Sequence, residues 1–192
     1  MRTDDSAAPL VGALVLLECA LSYTCGCLRL VTDDVGRPTP CRAWDLHALL
    51  IHMNDSLATL LEAAGLGYVD PDPADYDASA GIVATLHERA GSLLGAWTTY
   101  TGAPAVSVAG RPLSAGLLVC VGALEIVVHG WDVAQACGDH RPVPPLLAEE
   151  LLVLAPLLVS ESDRPSRFAA PVRVSPTGSA SDRLLAFLGR QP

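Results

Sequence analysis

Apolar residues recur every three or four positions along most of the chain, which is the period of helices that bury one face. Stretches rich in Gly, Pro and Asp separate these segments and are typical of loops. The pattern therefore predicts a mainly helical protein. Helices are expected at Ala8–Val31, Asp45–Gly65, Ala78–Trp97, Pro112–Gly138, Leu146–Ser160 and Ser181–Leu188.

Single residues indicate where several of these helices begin and end. Asp45 can cap the second helix, and Gly65 is suited to end it. Pro112 fits the first turn of the fourth helix, whereas Pro156 is expected to kink or break the fifth. Two short extended pieces are also predicted, at Ala105–Val108 and Pro171–Ser175.

The composition limits the classes of function. Of the 192 residues, 51% are apolar and 17% are charged, so the chain is expected to fold around a core rather than remain disordered. This length suits one domain, which we expect to span residues 1–192. The net charge of -9 argues against nucleic acid or an anionic membrane as a partner.

Cysteine usage and the first apolar run bear on the cellular compartment. The six cysteines match no zinc-finger or disulfide spacing, which favours reduced thiols in a cytosolic protein. The apolar run Pro9–Leu21 is short for a membrane span and is interrupted by Glu18. The segment before it carries two Asp and one Arg, unlike a signal peptide. We therefore predict a cytoplasmic protein.

The polar side chains whose burial would cost the most free energy lie in the fourth predicted helix. Between Leu113 and Trp131, the polar side chains are Ser114, Glu125 and His129. Helical spacing places Glu125 and His129 one turn apart on the same face. A carboxylate in such apolar surroundings has to be protonated, paired or bound to a cation. A metal ion would satisfy both side chains at once.

A metal site needs a third ligand, and His52 is the best candidate. It lies at the edge of the apolar stripe of the second helix, where it could reach across a bundle interior. A lone histidine at such a position is more often a rim or core residue, so that interpretation stays open. His47 lies well round the same helix and is expected to be solvated.

Four further side chains are candidates for supporting roles. Asp132 or Asp45 could accept a ring N–H from a ligand histidine, although a solvated Asp132 is an equal alternative. Glu18 and Tyr23 are polar residues in the apolar first helix and could face a pocket. An edge Glu at the rim of that helix is the competing interpretation. Trp44 and Trp131 are expected to pack in the core.

The sequence resembles the DinB-like four-helix metalloprotein family, in particular its actinobacterial branch with the mycothiol-dependent maleylpyruvate isomerases. The resemblance rests on three parts of the chain. These are Thr39-Pro40-Cys41 with Trp44 and His52, the segment EIVVHGWD at Glu125–Asp132, and the ending DRLLAFLGRQP at Asp182–Pro192.

The resemblance implies an all-α, up-down four-helix bundle, with short extended pieces and a C-terminal helix added. It implies a divalent metal, usually zinc, held by His52, Glu125 and His129. Two imidazoles and one carboxylate leave zinc an open position, which is typical of catalytic sites. In the family this position serves a low-molecular-weight thiol, mycothiol in actinobacteria. The implied reactions are S-transfer to a small electrophile or its cis-trans isomerisation.

Two other functions remain compatible with the sequence. The bundle cavity could serve a secondary-metabolite pathway enzyme that catalyses a cyclisation or hydrolysis without a thiol. Alternatively, the protein could be a non-catalytic, stress-linked metal-binding protein. The partners expected are a small electrophile and a thiol, and apolar helices of this kind also favour a homodimer.

Overall fold

The computed structural model describes residues 7–41, 44–69, 81–108, 110–164 and 168–192. Helices dominate these residues, which confirms the predicted all-α fold class. The helices are α1 (Ala7–Leu28), α2 (Leu46–Leu66), α3 (Ile82–Thr98), α4 (Ala115–Ala136), α5 (Pro145–Leu158) and α6 (Ala180–Phe187). A short 3₁₀ turn covers Glu161–Asp163.

The structure confirms the cap of α2 and corrects its end. The Asp45 carboxylate accepts a hydrogen bond from the Ala48 amide at 2.8 Å, as an N-cap residue does. The helix passes Gly65 and ends at Leu66, and Gly67 follows with a φ of 72°. Glycine adopts this left-handed conformation without steric cost, so Gly67 rather than Gly65 terminates the helix.

The other helix boundaries agree with the prediction to within a few residues. The prediction that Pro112 lies in the first turn of the fourth helix is wrong. Pro112 belongs to a strand, and Ser114 caps α4 by accepting from the Leu117 amide at 3.1 Å. Pro156 lies inside α5. The predicted start of the third helix, 78–80, lies outside the described residues.

Four helices form the bundle, and their directions refine the predicted up-down alternation. Trp97 Nε1 donates to the Leu60 carbonyl at 3.1 Å, and Arg89 Nη1 donates to the Asn54 carbonyl at 3.4 Å. The later residue of α3 thus contacts the later residue of α2, so these two neighbouring helices run in the same direction.

The remaining two helices run the opposite way. Leu60 packs on Gly122, whereas His52, two turns earlier in α2, meets Glu125 and His129 further along α4. The residues that follow α1 lie beside the start of α3. Helices α1 and α4 are thus antiparallel to α2 and α3 and run alongside each other.

A small sheet closes the end of the bundle where α2 and α3 finish. It contains β1 (Tyr68–Val69), β2 (Ala105–Val108) and β3 (Arg111–Ser114), in that order. Strand β2 pairs parallel with β1 and antiparallel with β3. The extended piece predicted at Ala105–Val108 is thereby confirmed. The piece at Pro171–Ser175 forms no strand, although the Val172 amide donates to the Ala186 carbonyl at 2.9 Å.

Helix α4 is the most buried element of the bundle. Both Leu10–Leu28 and Ala115–Ala136 have the length and apolar composition of membrane-spanning helices, each with a mean hydropathy of 1.7. The apolar composition of α4 follows from its central position between α1 and α2. Helix α1 also exposes apolar side chains, with Val11 at 61% and Val15 at 56% exposure.

Candidate metal centre

Three side chains from two antiparallel helices converge in the bundle interior. His52 comes from α2, and Glu125 and His129 come from successive turns of α4. Glu125 Oε1 lies 3.3 Å from His52 Nε2 and 3.4 Å from His129 Nε2. One ligand atom from each residue lies within 4.8 Å of the other two. We call this group the His-Glu-His centre.

These separations fit a metal ion of the size of zinc. Zinc binds imidazole nitrogen and carboxylate oxygen at about 2.0–2.2 Å, so two ligand atoms at tetrahedral angles lie about 3.4 Å apart. The distances from Glu125 Oε1 to the two Nε2 atoms agree with that value. The His-Glu-His centre could therefore hold a divalent metal and leave one position open.

Asp132 fixes the orientation of one of the two histidines. Its Oδ2 lies 3.0 Å from His129 Nδ1, on the side of the ring that faces away from Glu125. A carboxylate at this position accepts a hydrogen bond from Nδ1–H, which leaves the Nε2 lone pair of the neutral ring available to a metal. Asp132 is completely buried, so the alternative of a solvated Asp does not hold.

Burial and hydrogen bonds act in opposite directions on the ionisation of this group. Burial alone would lower the pKa of His129, but its hydrogen bonds to Asp132 and Glu125 outweigh burial and raise the pKa to about 9. Burial likewise opposes ionisation of Glu125, yet His129 and His52 hold its pKa well below the usual range. In the absence of metal, a protonated His129 therefore lies between two carboxylates.

A narrow crevice opens beside the centre, with Glu125 and His129 in its wall. Its space amounts to about 360 Å³ when the open mouth is included, but the enclosed part holds little more than one water molecule. We call it the apolar crevice. Its wall is mostly hydrophobic, with Leu21, Leu28, Met53, Leu57, Leu86 and Ile126 among its members.

Both pocket candidates, Glu18 and Tyr23, and the supporting candidate Asp45 lie outside the wall of the apolar crevice. Glu18 is exposed, and Tyr23 directs its hydroxyl to the Arg141 carbonyl at 3.3 Å. Helix α1 instead contributes Thr24 and Cys25, among others, to the apolar crevice. Asp45 is exposed, and its carboxylate is used to cap α2. His47 is exposed, as expected.

Trp44 packs against the core, as expected, and it also belongs to the site. Its ring centroid lies 4.4 Å from that of His52 and 5.9 Å from that of His129, and the residue is only half-buried. Trp131, by contrast, is buried in the core. Trp44 is itself one of the residues that carry the family resemblance, which was the available signal for its role.

Sequence reasoning missed Arg190, which forms a buried ion pair with Asp132. Arg190 Nη2 lies 2.7 Å from Asp132 Oδ2, and Arg190 Nε lies 3.2 Å from Oδ1. The two residues are 58 positions apart, so helical spacing carries no signal of their contact.

Histidine and carboxylate side chains that meet on facing helices are an arrangement with which helical-bundle proteins hold metal ions, so this bundle has a possible metal site. The sequence matches the mycothiol maleylpyruvate isomerase N-terminal domain family over residues 19–134, and the chain belongs to this family. The resemblance stated from the sequence is thereby confirmed.

Similar proteins occur in Mycobacterium tuberculosis. Two uncharacterised proteins, from strains CDC 1551 / Oshkosh and ATCC 25618 / H37Rv, are each 27% identical to the chain over 165 residues. The aligned part covers 82% of this chain and 86% of each relative. No solved structure matches the chain significantly.

Proposed function

We propose that the protein is a zinc-dependent enzyme that activates a low-molecular-weight thiol for attack on a small electrophile. The observation that carries this proposal is the convergence of His52, Glu125 and His129 at the wall of the apolar crevice. The family to which the chain belongs is named for mycothiol, which makes mycothiol the first thiol to test.

Each residue of the His-Glu-His centre would supply one ligand atom to a bound cation. In a metal complex, His52 and His129 would each offer an Nε2 lone pair, and Glu125 would supply a negative charge. In the metal-free protein, hydrogen bonds with the two histidines hold the pKa of Glu125 well below its usual range. Asp132 keeps the Nδ1 proton of His129 on the far side of the ring. A bound zinc ion would lower the pKa of a thiol and so supply a thiolate at neutral pH.

The thiolate can react with the electrophile in two ways. In S-transfer, sulfur forms a bond to carbon, and the leaving group departs with the electron pair. In isomerisation, sulfur adds to a conjugated double bond, the resulting single bond rotates, and expulsion of the thiolate restores the double bond. Both outcomes need the electrophile to lie against the thiol with water kept away, which the hydrophobic wall favours.

The wall of the apolar crevice favours an uncharged electrophile. Among the described residues that line it, no side chain is an arginine, and Glu125 adds negative charge. A zinc ion held by Glu125 and bound to a thiolate would have its charge balanced, so a substrate carboxylate would lie against this wall without a cationic partner, which is costly. We therefore propose a neutral, largely apolar substrate that enters as side chains such as Met53 move, because Met is the most adaptable residue of the wall.

Activity and metal content of matched variants test this proposal. The purified protein, loaded with zinc, is incubated with mycothiol and a neutral electrophile, and thiol consumption is followed. We expect thiol- and zinc-dependent turnover in the wild type and in His47→Ala, and its loss together with the zinc in His52→Ala. His47 is exposed on the same helix, so it controls for the general effect of removing a histidine.

Two results would reject thiol activation and point to the other functions. Turnover without any thiol would favour a pathway enzyme that uses the crevice alone. Tight zinc binding without turnover of any electrophile would favour a non-catalytic metal-binding protein. The cysteines among the described residues form no disulfide with one another, which fits the proposed cytoplasmic location.

A further inference from the structure

The C-terminal segment inserts a charged side chain behind the His-Glu-His centre. Arg190 is 7% exposed, and its guanidinium makes two hydrogen bonds to the completely buried Asp132. Oδ2 of the same carboxylate lies 3.0 Å from His129 Nδ1. A continuous chain of hydrogen bonds therefore joins the C-terminal segment to a candidate metal ligand.

We propose that Arg190 is a positioning residue of the metal centre. It holds Asp132 in the one orientation in which Oδ2 accepts a hydrogen bond from His129 Nδ1, so that the ring directs Nε2 towards Glu125. The inference rests on the metal-binding part of the proposed function, and it extends the centre to a residue outside the matched family region, 19–134.

The geometry of Asp132 explains why its partner matters. Oδ1 accepts from Arg190 Nε, and Oδ2 is shared between Arg190 Nη2 and His129 Nδ1, so the carboxylate has no freedom to rotate. Without the guanidinium, neither carboxylate oxygen would be held in place from the side of the C-terminal segment. The carboxylate could then turn away, and His129 would lose its orienting acceptor.

Arg190 is itself held firmly by the end of the chain. Its Nη1 donates to the Leu188 carbonyl at 3.1 Å, and its backbone amide donates to the Leu185 carbonyl at 2.9 Å. Gly189, which lies between Leu188 and Arg190, has a φ of 82°, and this left-handed conformation turns the chain after α6. The turn directs the guanidinium into the bundle, which fits a positioning role for the side chain.

Arg164 provides a matched control, because it anchors the same segment without touching Asp132. Its side chain is 8% exposed, and Nη2 donates to the Phe187 carbonyl at 2.9 Å. Arg190→Met and Arg164→Met therefore both remove a buried guanidinium that ties down the C-terminal segment. Each variant is expected to unfold at a lower temperature than the wild type.

Zinc affinity, measured by chelator competition, separates the two variants. We expect Arg190→Met to bind zinc about 10- to 100-fold more weakly, the loss typical when a partner that orients a metal-binding histidine is removed. Arg164→Met is expected to bind zinc as the wild type does. Equal affinities in the two variants, or wild-type affinity in Arg190→Met, would overturn the proposal.

A second readout uses the metal-free protein and does not depend on the proposed function. NMR of ¹⁵N-labelled protein should show a slowly exchanging, downfield Nδ1–H signal of His129 in the wild type and in Arg164→Met. The signal should disappear in Arg190→Met, and its persistence there would contradict the positioning role. A wild type that shows the signal but binds no zinc would refute the metal site alone.

Arg190→Lys covers the case in which Arg190→Met does not fold. Lysine keeps the positive charge but cannot form the bidentate hydrogen bonds that arginine makes with a carboxylate. We expect a folded protein with intermediate zinc affinity and faster exchange of the His129 Nδ1–H. Full wild-type affinity and exchange in Arg190→Lys would show that charge alone suffices and would reject positioning by the paired hydrogen bonds.

Discussion

Gly130 of α4 lies so close to Thr24 of α1 that a Cβ atom at Gly130 would be 3.1 Å from Thr24 Cα and would overlap its hydroxyl. The same hydroxyl donates to the Ile126 carbonyl at 2.8 Å. This contact joins the two parallel helices directly beside His129. Any side chain at Gly130 has to push α1 and α4 apart at the level of the metal centre.

The first prediction concerns this helix contact. Gly130→Ala should lower the free energy of unfolding by about 1–3 kcal/mol, because the overlap involves backbone as well as side chain. It should also weaken zinc binding, since His129 follows the displaced helix. Urea unfolding in the presence of a chelator measures the first effect, and chelator competition measures the second.

Gly95→Ala is the control for this substitution. Gly95 lies inside α3, and a Cβ there meets no atom within 4 Å. Alanine should therefore stabilise the protein by about 0.5–1 kcal/mol through its higher helix propensity. If both variants change stability by the same amount and sign, the close contact at Gly130 has no energetic role.

The second prediction concerns the charge of Glu125. Glu125→Gln keeps the shape of the side chain but removes the negative charge that both histidines share. Zinc affinity should fall by more than the roughly 10- to 100-fold typical of outer partners, because a direct ligand is lost. Glu149→Gln, at an exposed position of α5, should bind zinc normally. Isothermal titration calorimetry of both variants tests the difference.

The third prediction is a pH dependence that reverses when zinc is added. The pKa of His129 is raised from an ordinary value of 6.5 to about 9 in the folded, metal-free protein. Its contribution to stability is therefore complete below pH 6.5 and is lost as pH rises through about 9. The pKa values of Glu125 and Asp132 are lowered, so their contributions are lost only in acid.

In chelator, the melting temperature should thus decrease between pH 6.5 and 9. With zinc, the stabilisation gained from the metal should increase over the same range, because zinc binds the deprotonated imidazole. Thermal unfolding at several pH values under both conditions provides the measurement. The variant His129→Gln should lack both trends. If its melting temperature in chelator still decreased between pH 6.5 and 9, the decrease would belong to another titratable group.

The fourth prediction concerns the charge of the substrate. Zinc-loaded protein with mycothiol should consume a neutral electrophile such as 1-chloro-2,4-dinitrobenzene faster than a dicarboxylate such as maleate, relative to the uncatalysed rates. Leu57→Arg would place a cation in the wall of the apolar crevice, and it should narrow this preference. A preference for the dicarboxylate in the wild-type protein would contradict an apolar substrate.

The sequence predicts the part of the site that helix geometry alone determines. Glu125, His129 and Asp132 follow one another at spacings of four and three, so their common face is set once α4 is assigned. His52 required the resemblance as well, because a single histidine on an amphipathic helix has no distinguishing spacing. Asp45 was placed correctly as a cap for the same local reason.

The rest depends on contacts between distant parts of the chain. Helix α1 is apolar on almost every side, so the pattern does not distinguish Glu18 and Tyr23 from the face that carries Thr24 and Cys25. Arg190 reaches Asp132 only because α6 packs back on the bundle. The parallel course of α2 and α3 likewise depends on how the chain crosses between them, which periodicity does not encode.

The pairing of α1 with α4 also has a consequence for how the molecule forms. The hydrogen bond from Thr24 to Ile126 spans 102 residues, and α1 packs more extensively on α4 than on any other helix. During synthesis, the leucine-rich side of α1 consequently emerges from the ribosome long before α4, the helix on which it packs. Until this long-range contact forms, the apolar face of α1 stays exposed to solvent, where it favours aggregation.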